Sequence, residues 1–115
     1  MADVLIIEAT EAFTHVAVQG NLDEVGVGQV ELELTRETVA RHKPVILDLN
    51  KVKLITSLGI GLIVSIAQSM NSLNLDLVIV VGQTRVRDLL QITNVDALIP
   101  LVETREEALH TLGMA

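Results

Sequence analysis

The residues best placed to do chemistry fall in one stretch, Asp48-Leu49-Asn50-Lys51-Val52-Lys53-Leu54-Ile55-Thr56-Ser57-Leu58-Gly59-Ile60-Gly61. There a buried strand is expected to run through a turn into a hydroxyl pair at the start of a helix. A serine in that position has two uses. It can cap the helix, its oxygen accepting from a first-turn N–H for about 1 kcal/mol. It can also accept a phosphoryl group, because a phosphate at a helix N-terminus meets unpaired N–H donors and the positive end of the dipole. Position alone favours the cap. Gly59 and Gly61 each cost about 1 kcal/mol relative to alanine inside a helix, so something must compensate. Either another protein's backbone approaches a bare first turn, or the helix packs tightly on its own sheet. The spacing leaves both open.

Other chemistries lack their residues. His15, His42 and His110 lie on different expected elements and are read as ordinary surface or strand-end histidines, not as a metal site. Gly26-Val27-Gly28 follows no buried strand and reads as a loose helix start, not a dinucleotide loop. No Gly-x-Ser-x-Gly elbow presents a nucleophile, and with no cysteine there is no thiolate ligand, thiol nucleophile or disulfide. No catalytic residue, metal, cofactor or intrinsic enzyme activity is expected. Eight Lys plus Arg against fifteen Asp plus Glu give a net charge of -7, the wrong sign for a phosphate backbone. Phe13, the single aromatic residue, offers no stacking platform. Nucleic acid is not an expected partner.

The elements that must position the hydroxyl pair fit into 115 residues, half of them hydrophobic, enough for one compact core. The longest apolar stretch, Leu58 to Ala67, is about half the roughly 20 residues of a membrane span. No membrane association is expected, and no basic region followed by an apolar core marks a secretory signal. The chain is expected to be cytoplasmic.

Val4–Ile7 and Thr14–Val18 read as neighbouring strands joined by the connector Glu8–Ala12. Val30, Leu34 and Thr38 fall at helical spacing, in a helix ending near His42-Lys43-Pro44. Val45–Leu49 follows as a central strand covered on both sides, then a largely buried helix from Thr56-Ser57 to Met70. Leu75–Val81 reads as a strand, Thr84–Ile92 as a helix, and Leu98–Val102 as a last strand before a terminal helix capped near Thr104. The fold class is therefore α/β, with a mixed sheet of about five strands packed with about four helices through right-handed crossovers.

In order and spacing these pieces resemble the bacterial anti-sigma factor antagonists, whose domain is called STAS. Gly20-Asn21-Leu22-Asp23 is similar to the family's early Gly-x-Leu-Asp, and Val45-Ile46-Leu47-Asp48-Leu49-Asn50 to its buried strand with a polar end. Thr56-Ser57-Leu58-Gly59-Ile60-Gly61 is similar to its Asp-Ser-Ser/Thr-Gly-Leu-Gly. The closing region, Val81-Gly82 through Arg85-Val86-Arg87-Asp88-Leu89-Leu90 to Ile92-Thr93-Asn94-Val95 and Glu106-Glu107-Ala108-Leu109, resembles the C-terminal half.

The resemblance implies one STAS domain over residues 1–115, with Ser57 as the phosphorylated serine and Thr56 as the neighbouring alternative. It implies a partner surface of Asp23, Asn50, Thr56, Ser57, Leu58, Gly59 and Gly61. The partner it implies is an anti-sigma factor of the serine kinase type, whose capture frees a sigma factor and whose kinase switches the antagonist off at Ser57. A protein phosphatase or other STAS proteins are the further partners it allows. Two positions depart from the family's pattern: Thr56 stands for the Asp before the serine, and Leu58 for the hydroxyl residue after it. The first removes a negative charge and an acceptor beside Ser57. The alternative reading is a STAS scaffold subunit of a larger signalling assembly, with Ser57 mainly a helix cap.

Overall fold

A computed structural model describes residues 1–114. The chain runs β1 (Asp3–Ala9), β2 (Thr14–Leu22), α1 (Glu24–Thr38), β3 (Val45–Ile55), α2 (Ser57–Ser72), β4 (Leu77–Val80), α3 (Thr84–Ile92), a single 3-10 turn (Val95–Ala97), β5 (Leu101–Val102) and α4 (Arg105–Thr111). The five strands form one sheet in sequence order. β1 is antiparallel to β2, and β2 through β5 are parallel. This is the expected mixed sheet with four helices.

The topology decides which face each helix covers. Three successive crossovers advance in one direction, and right-handed connections of that kind put α1, α2 and α3 on the same face. Val30, Leu34, Ile63, Ile66, Val86 and Leu90 accordingly pack into one core with the strand residues Val16, Val18, Leu47 and Leu49. The opposite face holds a smaller cluster, Phe13, Ile46, Val78 and Val80 with Ala108 of α4. A sheet buried on both sides needs apolar side chains at successive positions, which is why Val45-Ile46-Leu47 and Leu77–Val80 are unbroken apolar runs.

Several expected boundaries shift. β3 runs on to Ile55 without a turn, because Lys51 through Ile55 pair with Gln19 through Leu22 of β2. It does so without β4, whose pairing with β3 ends at Asp48↔Val80. The missing neighbour is replaced by a side chain: Gln83 Nε2 donates to the carbonyls of Leu49, Asn50 and Val52. β4 and β5 are shorter than their apolar runs, and Leu98 is exposed after the 3-10 turn. α2 buries Leu62, Ile63, Ile66 and Met70 on one face only, not largely throughout, and exposes Leu58, Gly61 and Ser65 on the other.

His15 lies near the start of β2 but is not a surface histidine. It lies on the α4 face of β2, 4% exposed, with Nδ1 2.7 Å from a guanidinium nitrogen of Arg105 and Nε2 3.6 Å from Asp48 Oδ2. Burial raises the Asp48 pKa, but the His15 imidazole, the Asn50 N–H and the nearby Lys51 more than reverse this and hold it below 3.8. A carboxyl whose pKa is lower folded than unfolded stabilises the fold above the ordinary carboxylate range, and that contribution is lost as pH falls through the lowered value. Asp48→Asn is therefore expected to lower the unfolding midpoint near neutrality, with the gap from wild type closing as pH falls below about 4. Denaturant melts across that range check it.

Candidate functional site

The site forms where β2 ends and two helices begin. The Leu22 carbonyl accepts from the Thr56 N–H at 3.1 Å and from the Thr56 hydroxyl at 3.3 Å. One turn on, a Cβ at Gly59 would lie 2.5 Å from that same carbonyl oxygen and 2.9 Å from Ile55 Cγ1. The first turn of α2 therefore rests directly on the backbone of β2, and only glycine permits the approach. α1 does the same one residue earlier: a Cβ at Gly26 would lie 1.7 Å from the Asn21 carbonyl oxygen. Gly26 thus belongs to a seated first turn, not a loose helix start, and the N-termini of α1 and α2 share one end of the molecule.

This seating changes the roles expected of the hydroxyl pair. Thr56 is the N-cap residue, with extended backbone (φ -111°, ψ -179°), yet its side chain makes no cap bond. Its hydroxyl is already turned to Leu22. Ser57 is not the cap: it is the first helical residue and is exposed. The N–H groups of Ser57, Leu58 and Gly59 have no hydrogen-bond partner among the described residues, and the first bonded helical amide is that of Ile60, to Thr56 O at 2.9 Å. No acidic residue stands in the first turn to neutralise the helix dipole. An exposed hydroxyl sits at the uncompensated positive end of a sixteen-residue helix.

The other expected site residues divide. Asp23 caps α1, Oδ1 accepting from the Gly26 N–H at 2.9 Å. Asn50 lies farther along the rim, its Oδ1 accepting from the Gly82 N–H at 2.6 Å, and with Gln83 it ties the free part of β3 to the α3 side. Gly59 faces inward. Gly61 has nothing within 4 Å of where its Cβ would be and is open to solvent. Leu58 is 53% exposed, and two residues that sequence reasoning missed are exposed near the same helix starts, Val25 in the first turn of α1 at 67% and Leu54 before α2 at 43%. An apolar residue within three places of a helix start was the available signal. No group of three or more His, Cys, Asp or Glu capable of holding a metal occurs among the described residues, and no helix among them is long and apolar enough to cross a membrane.

The STAS domain family matches residues 5–108. The chain belongs to the STAS domain family. It is 23% identical over 104 residues, 90% of each chain, to a Bordetella bronchiseptica protein named as an anti-sigma factor antagonist, BtrV. A crystal structure of an anti-sigma factor antagonist from Mycobacterium paratuberculosis has the same fold, with a TM-score of 0.86 at 22% identity, covering 98% of this chain and 95% of that one. The Bacillus cell fate determinant SpoIIAA in its phosphorylated form shares it at a TM-score of 0.69 and 15% identity, over 96% and 99% of the two chains.

Within this STAS domain the two glycines of α2 are expected to respond oppositely. Gly59→Ala drives a methyl group onto a backbone carbonyl and should destabilise the fold by about 1–3 kcal/mol. Gly61→Ala meets open space and should stabilise it by up to about 1 kcal/mol through helix propensity. Urea midpoints of the two variants check this, and equal shifts of one sign would contradict the seating described above.

Proposed function

We propose that this STAS protein is an anti-sigma factor antagonist: a cytoplasmic regulator, not a catalyst, that binds an anti-sigma factor of the serine kinase type and so frees a sigma factor. Phosphorylation at Ser57 switches the binding off. The observation that carries the reading is the exposed, uncapped first turn of α2, with the Ser57 hydroxyl free and three backbone N–H groups beside it unpaired. The relatives named as anti-sigma factor antagonists, and a fold neighbour whose structure is of a phosphorylated form, support it.

Ser57 is the proposed acceptor rather than Thr56 because the Thr56 hydroxyl is half-buried and committed to the Leu22 carbonyl. A phosphate on Ser57 would meet the free amides and the dipole instead of displacing a structural bond. The apolar rim of Val25, Leu54 and Leu58 suits a partner whose contact surface is largely apolar around that one hydroxyl. The Leu58 that replaces the family's second hydroxyl would add buried area at the centre of such a contact. Its proposed partner-binding neighbours are Asp23, Asn50, Thr56 and Gly61, of which Gly61 is the bare position a partner backbone could approach, whereas Gly59, expected among them, is buried against Leu22 and seats the helix instead.

The size of the switch follows from its charge. Phosphoserine adds about -1.5 to -2 charges. One unit charge about 5 Å from a partner carboxylate, at an effective dielectric of about 20, costs roughly 3 kcal/mol before salt screening. That is about a hundredfold in affinity.

Ser57→Asp should weaken partner binding at least tenfold with little change in melting temperature, and Ser57→Ala should bind without being phosphorylated. Incubation with the cognate kinase and ATP, followed by phosphopeptide mapping, tests the site. Phosphate on Thr56 would move the switch by one residue, and phosphate on neither would overturn it in favour of a constitutive scaffold contact.

A further inference from the structure

The α4 face of the sheet carries a polar cluster that the proposed switch does not use. His15 is 4% exposed and is approached from three elements. Its cross-strand partner on β1 is Glu8, Asp48 Oδ2 on β3 stands 3.6 Å from Nε2, and Arg105, the first residue of α4, stands 2.7 Å from Nδ1. Arg105 also pairs with the Glu8 carboxylate and lies 5.5 Å from the centroid of the Phe13 ring. The other charged groups nearby look elsewhere. Lys51 acts on Asp48, Glu107 bonds the Glu103 N–H and the Thr104 hydroxyl, and Glu11, Glu106 and His110 are exposed.

These contacts fix the state of the ring. A guanidinium has no acceptor, so the 2.7 Å contact requires Nδ1 to be the lone-pair nitrogen and Nε2 to carry the proton. Nε2 is buried and, at 3.6 Å from Asp48, makes no hydrogen bond among the described residues. The one basic atom of the ring is therefore the atom that Arg105 holds. A proton and Arg105 compete for a single lone pair.

We propose that His15 is a proton-sensitive latch for α4. When neutral, it accepts from Arg105 and holds the start of the helix against the sheet. When a proton from solvent binds Nδ1, that nitrogen becomes a donor facing another donor, and the cationic ring is drawn through Nε2 toward Asp48. Arg105 then loses its contact to His15 and keeps those to Glu8 and the Phe13 ring. The effect is local because α4 is lightly held: it has seven residues, and only Ala108 among them is fully buried, with Leu109 and the following Leu112 and Met114 partly so. The larger core on the opposite face contains none of these groups.

The test is NMR on the intact chain. At about pH 8 the His15 nitrogen shifts should report the Nε2–H tautomer. Between about pH 8 and the pH at which the ring nitrogen shifts show His15 protonated, exchange protection of the α4 amides Ala108 to Leu112, corrected for intrinsic rate, should fall at least tenfold relative to those of β2 and β3. In His15→Gln, whose amide oxygen accepts but does not titrate, α4 protection should be flat with pH. In Arg105→Gln it should be low at both ends, which keeps the test decisive if the first variant fails to fold. An Nδ1–H tautomer at pH 8, unchanged α4 protection while His15 titrates, or no titration of His15 before global unfolding would each overturn the latch.

Discussion

The Leu22 carbonyl is the point on which the arrangement of this molecule turns. It ends β2 and receives both the N–H and the hydroxyl of Thr56, while Gly59 is pressed onto it from the next turn. With its hydroxyl turned to Leu22, Thr56 makes no side-chain cap bond to the amides of α2. The amides of Ser57, Leu58 and Gly59 are left unpaired among the described residues, and the Ser57 side chain stands outside. Leaving helix donors unsatisfied is costly unless water or a ligand can reach them, so the feature belongs at the surface.

The one-directional winding of the sheet explains why this end can be exposed without loss of rigidity. α1, α2 and α3 share one large core with strands β2, β3 and β4, so the first turn of α2 is fixed by Leu62, Ile63 and Ile66 behind it. Ser57 is thereby an exposed hydroxyl on a helix packed into the core. Among the described residues, the opposite face carries the short α4, a cluster of five buried hydrophobic residues and the buried His15. There, polar contacts have a larger share in holding an element down, those of Arg105 to His15 and Glu8 among them.

Much of this was legible in the sequence, for definite reasons. Val45-Ile46-Leu47 and Val78-Ile79-Val80 could only be strands covered on both faces, and Val30, Leu34 and Thr38 lie on one helical stripe and are all buried. Thr104 and Glu107 form the anticipated cap of α4. What escaped reading depends on contacts between distant residues. The extension of β3 through Lys51 and Lys53 is stabilised by pairing with β2 and by the Gln83 side chain, neither visible in a local pattern. His15 and Arg105 are separated by 90 residues. The cap position slipped by one because either hydroxyl can cap, and the Leu22 carbonyl is what assigns Thr56. Gly59 and Gly61 were read as a pair with two explanations left open, yet residues two apart on a helix point about 200° from each other. One meets the sheet and the other meets solvent.

The central claim is that the first turn of α2, with the adjoining start of α1, is the partner surface and that phosphate on Ser57 closes it. The most direct measurement is amide chemical-shift mapping of the isotope-labelled protein titrated with an ATP-binding anti-sigma factor from the same organism, before and after enzymatic phosphorylation. The account predicts shifts concentrated at Asn21 to Val25 and Thr56 to Gly61, with the same titration silent once Ser57 is phosphorylated. Shifts centred on α4 or on the β1 edge, or binding that persists unchanged with the phosphate in place, would contradict it.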